Sequence, residues 1–375
     1  MSSARDAALQ AFREVGSVRG AARKLGVDAA TIRKHLRKAG IGPAQATPLL
    51  APPTGYHVKG TSTLVGPDGE VKAQWVKVNQ DQQDKVRALE LAIAELVKPV
   101  QGYAAPTKAP RHAESDLMCA LPLGDPHVGL LSWAAETGDD YDLRIAEQIL
   151  CGAVDQAVEL APAASRCLLI NLGDYFHSDT QENRTLRSGH QLDVDSRWAR
   201  VLEIGIRIQR RMIERCLEKF SVVECDNVRG NHDDHSSVML AHVMRAYFER
   251  EPRVKVCMSP SLHHYFEHGL CLVGTHHGHA TKFQNLPLLM AATQPEAWGR
   301  TKFRRVYCGH VHSDSVKEFG GCTVETVNTL AARDAYAAGA GYVSGRDLKL
   351  DVWHAGHGLI NRHIVGIEQI RKVAA

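Results

Sequence analysis

Five short apolar runs in this chain, MCALPL, CLLINL, VVECDNV, LCLVG and RRVYC, each stop abruptly at a glycine-containing loop crowded with Asp, Asn or His. The loops are Gly124-Asp125-Pro126-His127, Gly173-Asp174-Tyr175-Phe176-His177, Gly230-Asn231-His232-Asp233, Thr275-His276-His277-Gly278-His279 and Gly309-His310-Val311-His312. Apolar runs of this length suit buried strands, and in open sheets ligands gather at the carboxyl ends of strands. Five such ends carrying only oxygen and imidazole donors predict a metal centre.

The spacing gives that expectation a mechanism. In extended backbone, residues i and i+2 point the same way, so Asp125 with His127, and His310 with His312, can each present two ligands to one side. A glycine ahead of Asp125, Asp174, Asn231 and His310 permits a sharp exit from the strand and close approach of backbone to a ligand. Asp174 has two oxygens and can bridge two cations roughly 3.5–4 Å apart.

Composition sharpens the point. Of the 20 histidines, 18 lie at or beyond His112, a bias that asks for a chemical explanation. The chain has 375 residues, 44% hydrophobic and 23% charged, which excludes a disordered, collagen-like or small disulfide-stapled protein and leaves room for two or three domains. The nine cysteines form no C-x-x-C pair, stand mostly in apolar runs and are expected as buried free thiols. Their odd number and the lack of an apolar N-terminal segment point to a cytoplasmic protein. No apolar stretch approaches the roughly 18 residues of a membrane span.

The charge is unevenly placed. Residues 1–40 hold nine Lys/Arg against three acidic residues, an excess of six, so the remainder is three negative within a net +3. In this head the spacing predicts helices over 4–15, 18–25 and 29–39, with Gly26-Val27-Asp28 as the turn, Asp28 as N-cap and Gly40 as the terminating residue. Ile32 and Leu36 would face inward, leaving Thr31, Arg33, Lys34, Arg37 and Lys38 as candidate nucleic-acid contacts. Residues 41–54 read as a Pro/Ala linker, 56–78 as a hairpin turning at Pro67-Asp68-Gly69, 80–97 as an amphipathic helix, and 103–110 as a second Pro/Ala stretch.

The segment GSVRGAARKLGVDAATIRKHLRKAG resembles the helix-turn-helix modules of bacterial and phage DNA-binding proteins. A basic three-helix bundle used for oligomerisation is the competing reading. Across residues 117–330 the order D-x-H, G-D-x-x-H, G-N-H-D, H-G-H and G-H-x-H resembles the calcineurin-like metallophosphoesterase superfamily. That resemblance implies an α/β protein, a four-layer αββα sandwich, preceded by a small all-α helix-turn-helix domain. The corresponding domains are 1–42, a linker region 43–115 and 116–375.

By the same resemblance one divalent ion would be held by Asp125, His127, Asp174 and His312, and a second by Asp174, Asn231, His277 and His310. His232 would protonate the leaving oxygen, with Asp233 orienting its ring. Three histidines compete in the fourth motif; His277 is chosen because the family ligand stands directly before a glycine, with His276 as a core residue and His279 as a phosphate-side contact. Phe176-His177 and the D-x-H-x-G run from Asp125 resemble the double-strand-break repair exonucleases, in which the equivalent of His177 lies near the scissile phosphate. The ligand types suit Mn²⁺ first, then Fe²⁺ or Zn²⁺. The function implied is a two-metal phosphodiesterase acting on nucleic acid, DNA first, with no membrane partner and an optional homo-oligomer. A phosphomonoesterase or small-nucleotide phosphodiesterase, and a DNA-binding regulator with an inactive metal domain, are the alternatives.

Overall fold

The computed structural model describes residues 4–39, 56–65, 71–80, 91, 95, 97–185 and 188–373. The chain divides into two compact units, Met1–Ala92 and Ile93–Ala375.

In the first unit three helices pack together: α1 (Ala4–Val15), α2 (Val18–Leu25) and α3 (Ala29–Lys38). Their common core is Ala8, Ala11, Ala21, Ala22, Ile32 and Leu36. Local chemistry sets the boundaries. The Ser17 hydroxyl accepts from Gly20 N to start α2, Gly26 ends it in the left-handed region at φ 66°, and Asp28 caps α3 by accepting from Ala30 N and Thr31 N. Arg33, Lys34, Arg37 and Lys38 are exposed, as their spacing predicts. Thr31 is half-buried, and its hydroxyl donates to Asp28 Oδ2 at 2.7 Å, so it also serves the cap. A two-stranded antiparallel pair, β1 (Tyr56–Val65) with β2 (Val71–Gln80), follows. The expected Gly40 terminus, the 41–54 linker, the turn at 67–69 and most of the 80–97 helix lie outside the described residues.

The second unit is built on two sheets. The larger has the order β13 (Gly358–Gly366), β12 (Asp347–His354), β3 (Glu114–Leu123), β4 (Ala164–Asn171), β5 (Val222–Asn227), β6 (Val254–Val256), with β3 to β6 parallel. The smaller has the order β10 (Ser315–Phe319), β11 (Cys322–Thr326), β9 (Phe303–Cys308), β8 (Cys271–His276), β7 (His264–His268). Alternation along each strand builds the layers. Leu117, Cys119, Leu121 and Leu123 of β3 face a core shared with helices α4 (Leu143–Leu160), α5 (Trp198–Lys219) and α6 (Ser236–Tyr247). The intervening Met118 and Ala120 face the other sheet, meeting Cys271, Val273 and Tyr307. The far face of the small sheet, through Leu272, Val306 and Val324, packs on α7 (Leu286–Thr293) and α8 (Pro295–Arg300). The result is four layers: helices, sheet, sheet, helices.

All nine cysteines are free thiols, eight of them buried and Cys257 half-buried. Among the described residues no helix is long and apolar enough to cross a membrane.

Candidate metal centre

The five apolar runs become β3, β4, β5, β8 and β9, and the loops leaving their carboxyl ends converge. Besides His127 with His177 and His232, two groups join loops from both sheets, Asp125 with His127 and His312, and Asp174 with His277 and His310; within each group the donor atoms lie within 4.8 Å of one another. In the two joining groups three residues come from the large sheet and three from the small one, so the site sits where the two sheets present their strand ends.

Convergence is achieved by a backbone that the extended-segment picture does not describe. Asp125, His127, Asp174, His310 and His312 all adopt left-handed φ, between 44° and 72°. Among the described non-glycine residues only Asn183 shares that feature. Such conformations cost of order 1–3 kcal/mol each and persist where the surroundings over-determine them. Here they do. Both oxygens of Asp125 accept from His310 N, at 3.0 and 2.9 Å, and the Thr329 hydroxyl donates to the Asp125 carbonyl at 2.7 Å. Through these left-handed kinks past the strands Asp125 and His127 meet in one group, whereas His310 and His312 divide between the two.

The ligand atoms are spaced for cations. His127 Nε2 and His312 Nε2 are 3.2 Å apart, and His312 Nε2 is 3.3 Å from Asp125 Oδ1. His277 Nε2 is 3.2 Å from Asp174 Oδ2 and 3.0 Å from Asn231 Oδ1. An ion with bonds of about 2.1 Å separates adjacent ligand atoms by about 3.0–3.4 Å, which matches these contacts. Asp125 and Asp174 are both buried, and buried carboxylates require pairing or a metal.

Electrostatics agrees with the spacing. Burial pushes the Asp174 carboxyl up, but the charges of His277 and His232 outweigh it and hold it well below the usual carboxylate range. Burial works against a charged His277, yet the Asp174 carboxylate outweighs it and raises the imidazole to about 10. The Asp174 and Asp125 carboxylates thus favour positive charge at this position. Burial, then the charges of His232, His312 and His177, keeps His127 well below the ordinary imidazole value, the neutral form that ligates. Imidazole, carboxylate and amide donors without thiolate fit divalent transition ions.

Of the three competing histidines, the structure brings His277 to Asp174 and Asn231. His277 Nδ1 donates to the Leu172 carbonyl at 2.8 Å, which leaves Nε2 free to ligate. His276 is a buried residue of β8 whose ring stacks on His263 at 4.5 Å. His279 lies half-buried, its ring 5.2 Å from that of His277.

One expected role needs correction. Asp233 does not touch the His232 ring. Its carboxylate accepts from four backbone N–H groups, Gly230 and Asp174 on Oδ1 and Tyr175 and Phe176 on Oδ2, at 2.8–3.2 Å, and so ties the second loop to the third. The ring of His232 is held instead by its Nδ1 donating to the His177 carbonyl at 2.9 Å. His177 is enclosed beside the centre, with Nδ1 3.2 Å from His127 Nδ1 and Nε2 buried without a partner. Asp233 therefore positions the loop backbone. His232 keeps 16% side-chain exposure, with Nε2 3.9 Å from Asp174 Oδ2.

Sequence reasoning missed a sixth strand end. Cys322–Thr326 runs into Asn328 and Thr329, and Thr329 holds Asp125. The signal was present as another apolar-to-Asn/Thr exit, without a His or Asp to mark it.

No family model matches the sequence, and no curated protein does. Solved structures similar to this chain include a predicted phosphoesterase from Streptococcus pneumoniae TIGR4, with 11% identity over 68% of this chain and 99% of that one and a TM-score of 0.27. Vps29 with Zn²⁺ from Entamoeba histolytica has 14% identity over 67% and 99% of the two chains and a TM-score of 0.29. An archaeal phosphodiesterase has 10% identity over 67% and 99% and a TM-score of 0.31. The chemistry of this site follows from its own geometry.

Proposed function

We propose that this chain is a two-metal-dependent phosphodiesterase acting on nucleic acid, DNA first, with its basic N-terminal helices as the tether. The observation that carries the reading is the pair of adjacent Asp/His groups at the strand ends, five of whose six donors are held in left-handed backbone. Asp125, His127 and His312 would hold one ion and Asn231, His277 and His310 the other, with the Asp174 carboxylate shared. Mn²⁺ is the first candidate and Fe²⁺ or Zn²⁺ the next. Bound there, the ions would supply Lewis acidity toward phosphoryl oxygens and toward water.

The chain's own groups do the rest. His232 Nδ1–H is committed to the His177 carbonyl, which fixes the ring and directs Nε2 to the side of Asp174. As imidazolium, it would donate the Nε2 proton to the departing alkoxide, the proton-transfer role of a positioned histidine. Asp233 keeps the Asp174 backbone in place, and His177 supports His127 from behind. On α3, Arg33, Lys34, Arg37 and Lys38 carry their charges outward with no ion-pair partner among the described residues, as phosphate contact requires.

The test is hydrolysis of end-labelled DNA, the matching RNA, a cyclic dinucleotide and a phosphomonoester by the full chain, each with Mn²⁺ and with chelator. Metal-dependent cutting of DNA supports the reading. Turnover of the cyclic dinucleotide or monoester alone moves the substrate to small nucleotides, and turnover of none of them overturns it in favour of a binding protein.

A further inference from the structure

A cleft of about 540 Å³ opens beside the metal ligands, and the metal chemistry does not use it. Its walls include Gly278, which follows His277, and Val311, which stands between His310 and His312. The contact with the centre is tight: a Cβ on Gly278 would meet the Gly309 carbonyl and His310 Cβ at 3.1 Å and the Phe283 ring at 3.2 Å. The floor comes from strand alternation. Ser315, Lys317 and Phe319 of β10, spaced by two, share one face with Val324 and Thr326 of β11.

Two features define the ligand class. Lys282 and Lys317 are exposed at the cleft, and neither ammonium has a hydrogen-bond or ion-pair partner among the described residues. Two unpaired cations beside a phosphate-binding centre call for a second anionic group on the same substrate. Phe283 and Phe319 offer ring surface, and Ser and Thr hydroxyls stand among them, the mixture that holds a flat heterocycle with polar edges. A lone phosphate would leave most of this volume empty.

We infer that this cleft is a subsite for the nucleoside next to the scissile phosphate, with Lys282 and Lys317 holding the following phosphate of a single strand. The inference rests on the phosphodiesterase reading, and its test separates the two. In the full chain carrying Arg33→Ala, Lys34→Ala, Arg37→Ala and Lys38→Ala, which silences the N-terminal helices, binding of a fluorescent thymidine pentanucleotide is measured by anisotropy in chelator, against salt. Adding Lys282→Ala and Lys317→Ala should weaken binding at least tenfold. It should also flatten the slope of log K against log salt by about 1.4, two contacts at about 0.7 each. Ser315→Trp, which fills the cleft from an exposed position and keeps both charges, should weaken binding as well.

Hydrolysis of methyl p-nitrophenyl phosphate with Mn²⁺ should stay within twofold in all three proteins, because that diester is too small to reach the cleft. Unchanged affinity and slope in the double lysine variant overturns the subsite. Unchanged affinity in Ser315→Trp overturns the nucleoside assignment. Failure of every protein to hydrolyse the small diester overturns the phosphodiesterase reading, while the binding result still decides the cleft.

Discussion

Gly230→Ala adds one methyl group at the point where the second and third loops touch, and its cost can be worked from the geometry. A Cβ built there would lie 2.0 Å from Asp174 Oδ1, 2.2 Å from Asp174 N and 2.8 Å from Asp233 Oδ1. Ordinary contacts of a Cβ do not fall below 3.0 Å, so Asp174 must retreat by about 1 Å. Overpacking of this kind costs about 1–3 kcal/mol, and losing one of the N–H bonds to the Asp233 carboxylate adds about 1.5–3 kcal/mol. Together these predict a loss of about 2.5–6 kcal/mol in urea unfolding of the metal-free protein. A carboxylate displaced by 1 Å is also outside the tolerance of a ligand set, so metal content should fall and kcat on a small diester should drop by about 10²-fold. The control is Gly299→Ala in α8, where the added methyl meets nothing within 4 Å and should cost nothing, gaining about 0.5–1 kcal/mol from helix propensity. Metal stoichiometry by emission spectroscopy and urea midpoints, measured for both variants, check the reasoning. Two bound ions and wild-type stability in Gly230→Ala would refute it.

Three other outcomes follow from the same structure. His232→Ala should retain both ions and lose about 10²–10⁴-fold in kcat, read by metal analysis beside single-turnover kinetics; loss of metal instead would make His232 a ligand. In the full chain, alanine at Arg33, Lys34, Arg37 and Lys38 should flatten the salt dependence of duplex DNA binding and raise KM for long DNA with little change in kcat. A changed molar mass with an unchanged slope would favour an oligomerisation bundle. Burial disfavours a charged His264, but its hydrogen bonds to Asp226, at 2.6 Å, and to Cys257, with the Asp226 charge, outweigh this and raise it to about 11. A folded-state value above the ordinary imidazole one stabilises fully below pH 6.5 and fades as pH rises toward 11. Unfolding midpoints should therefore fall across that window, and His264→Gln should reduce the slope, leaving the part that His277 contributes; a wild-type midpoint flat from pH 7 to 10 would contradict it.

The converging loops were legible because strand ends carry their chemistry in sequence: an apolar run, a glycine, then Asp, Asn or His. The same logic gave the three N-terminal helices, whose caps at Ser17 and Asp28 are local. What failed was conformation and second contacts. The left-handed φ at Asp125, His127 and Asp174 is imposed by hydrogen bonds from residues far along the chain, and non-glycine residues give no local sign of it. Asp233 read as a partner of its neighbour His232, whereas three of its four donors lie 57 to 59 positions away. Thr31 read as outward by periodicity alone, which does not show that its hydroxyl also donates to Asp28 in the cap. The cleft beside His310 was invisible because Lys282 and Lys317 come from segments joined only by the pairing of β8, β9, β11 and β10.

The central claim, that two groups of side chains hold two cations for phosphoester hydrolysis, is tested most directly by titrating Mn²⁺ into the metal-free full chain. Heat, bound metal and hydrolysis of a small phosphodiester are followed together. The structure predicts saturation at two ions per chain, release of a proton as His277 gives up its charge, and activity that appears only as both positions fill. Asp174→Asn should lose the activity and lower the stoichiometry while the fold is kept. Saturation at one ion or none, or turnover that persists in chelator, would contradict the account.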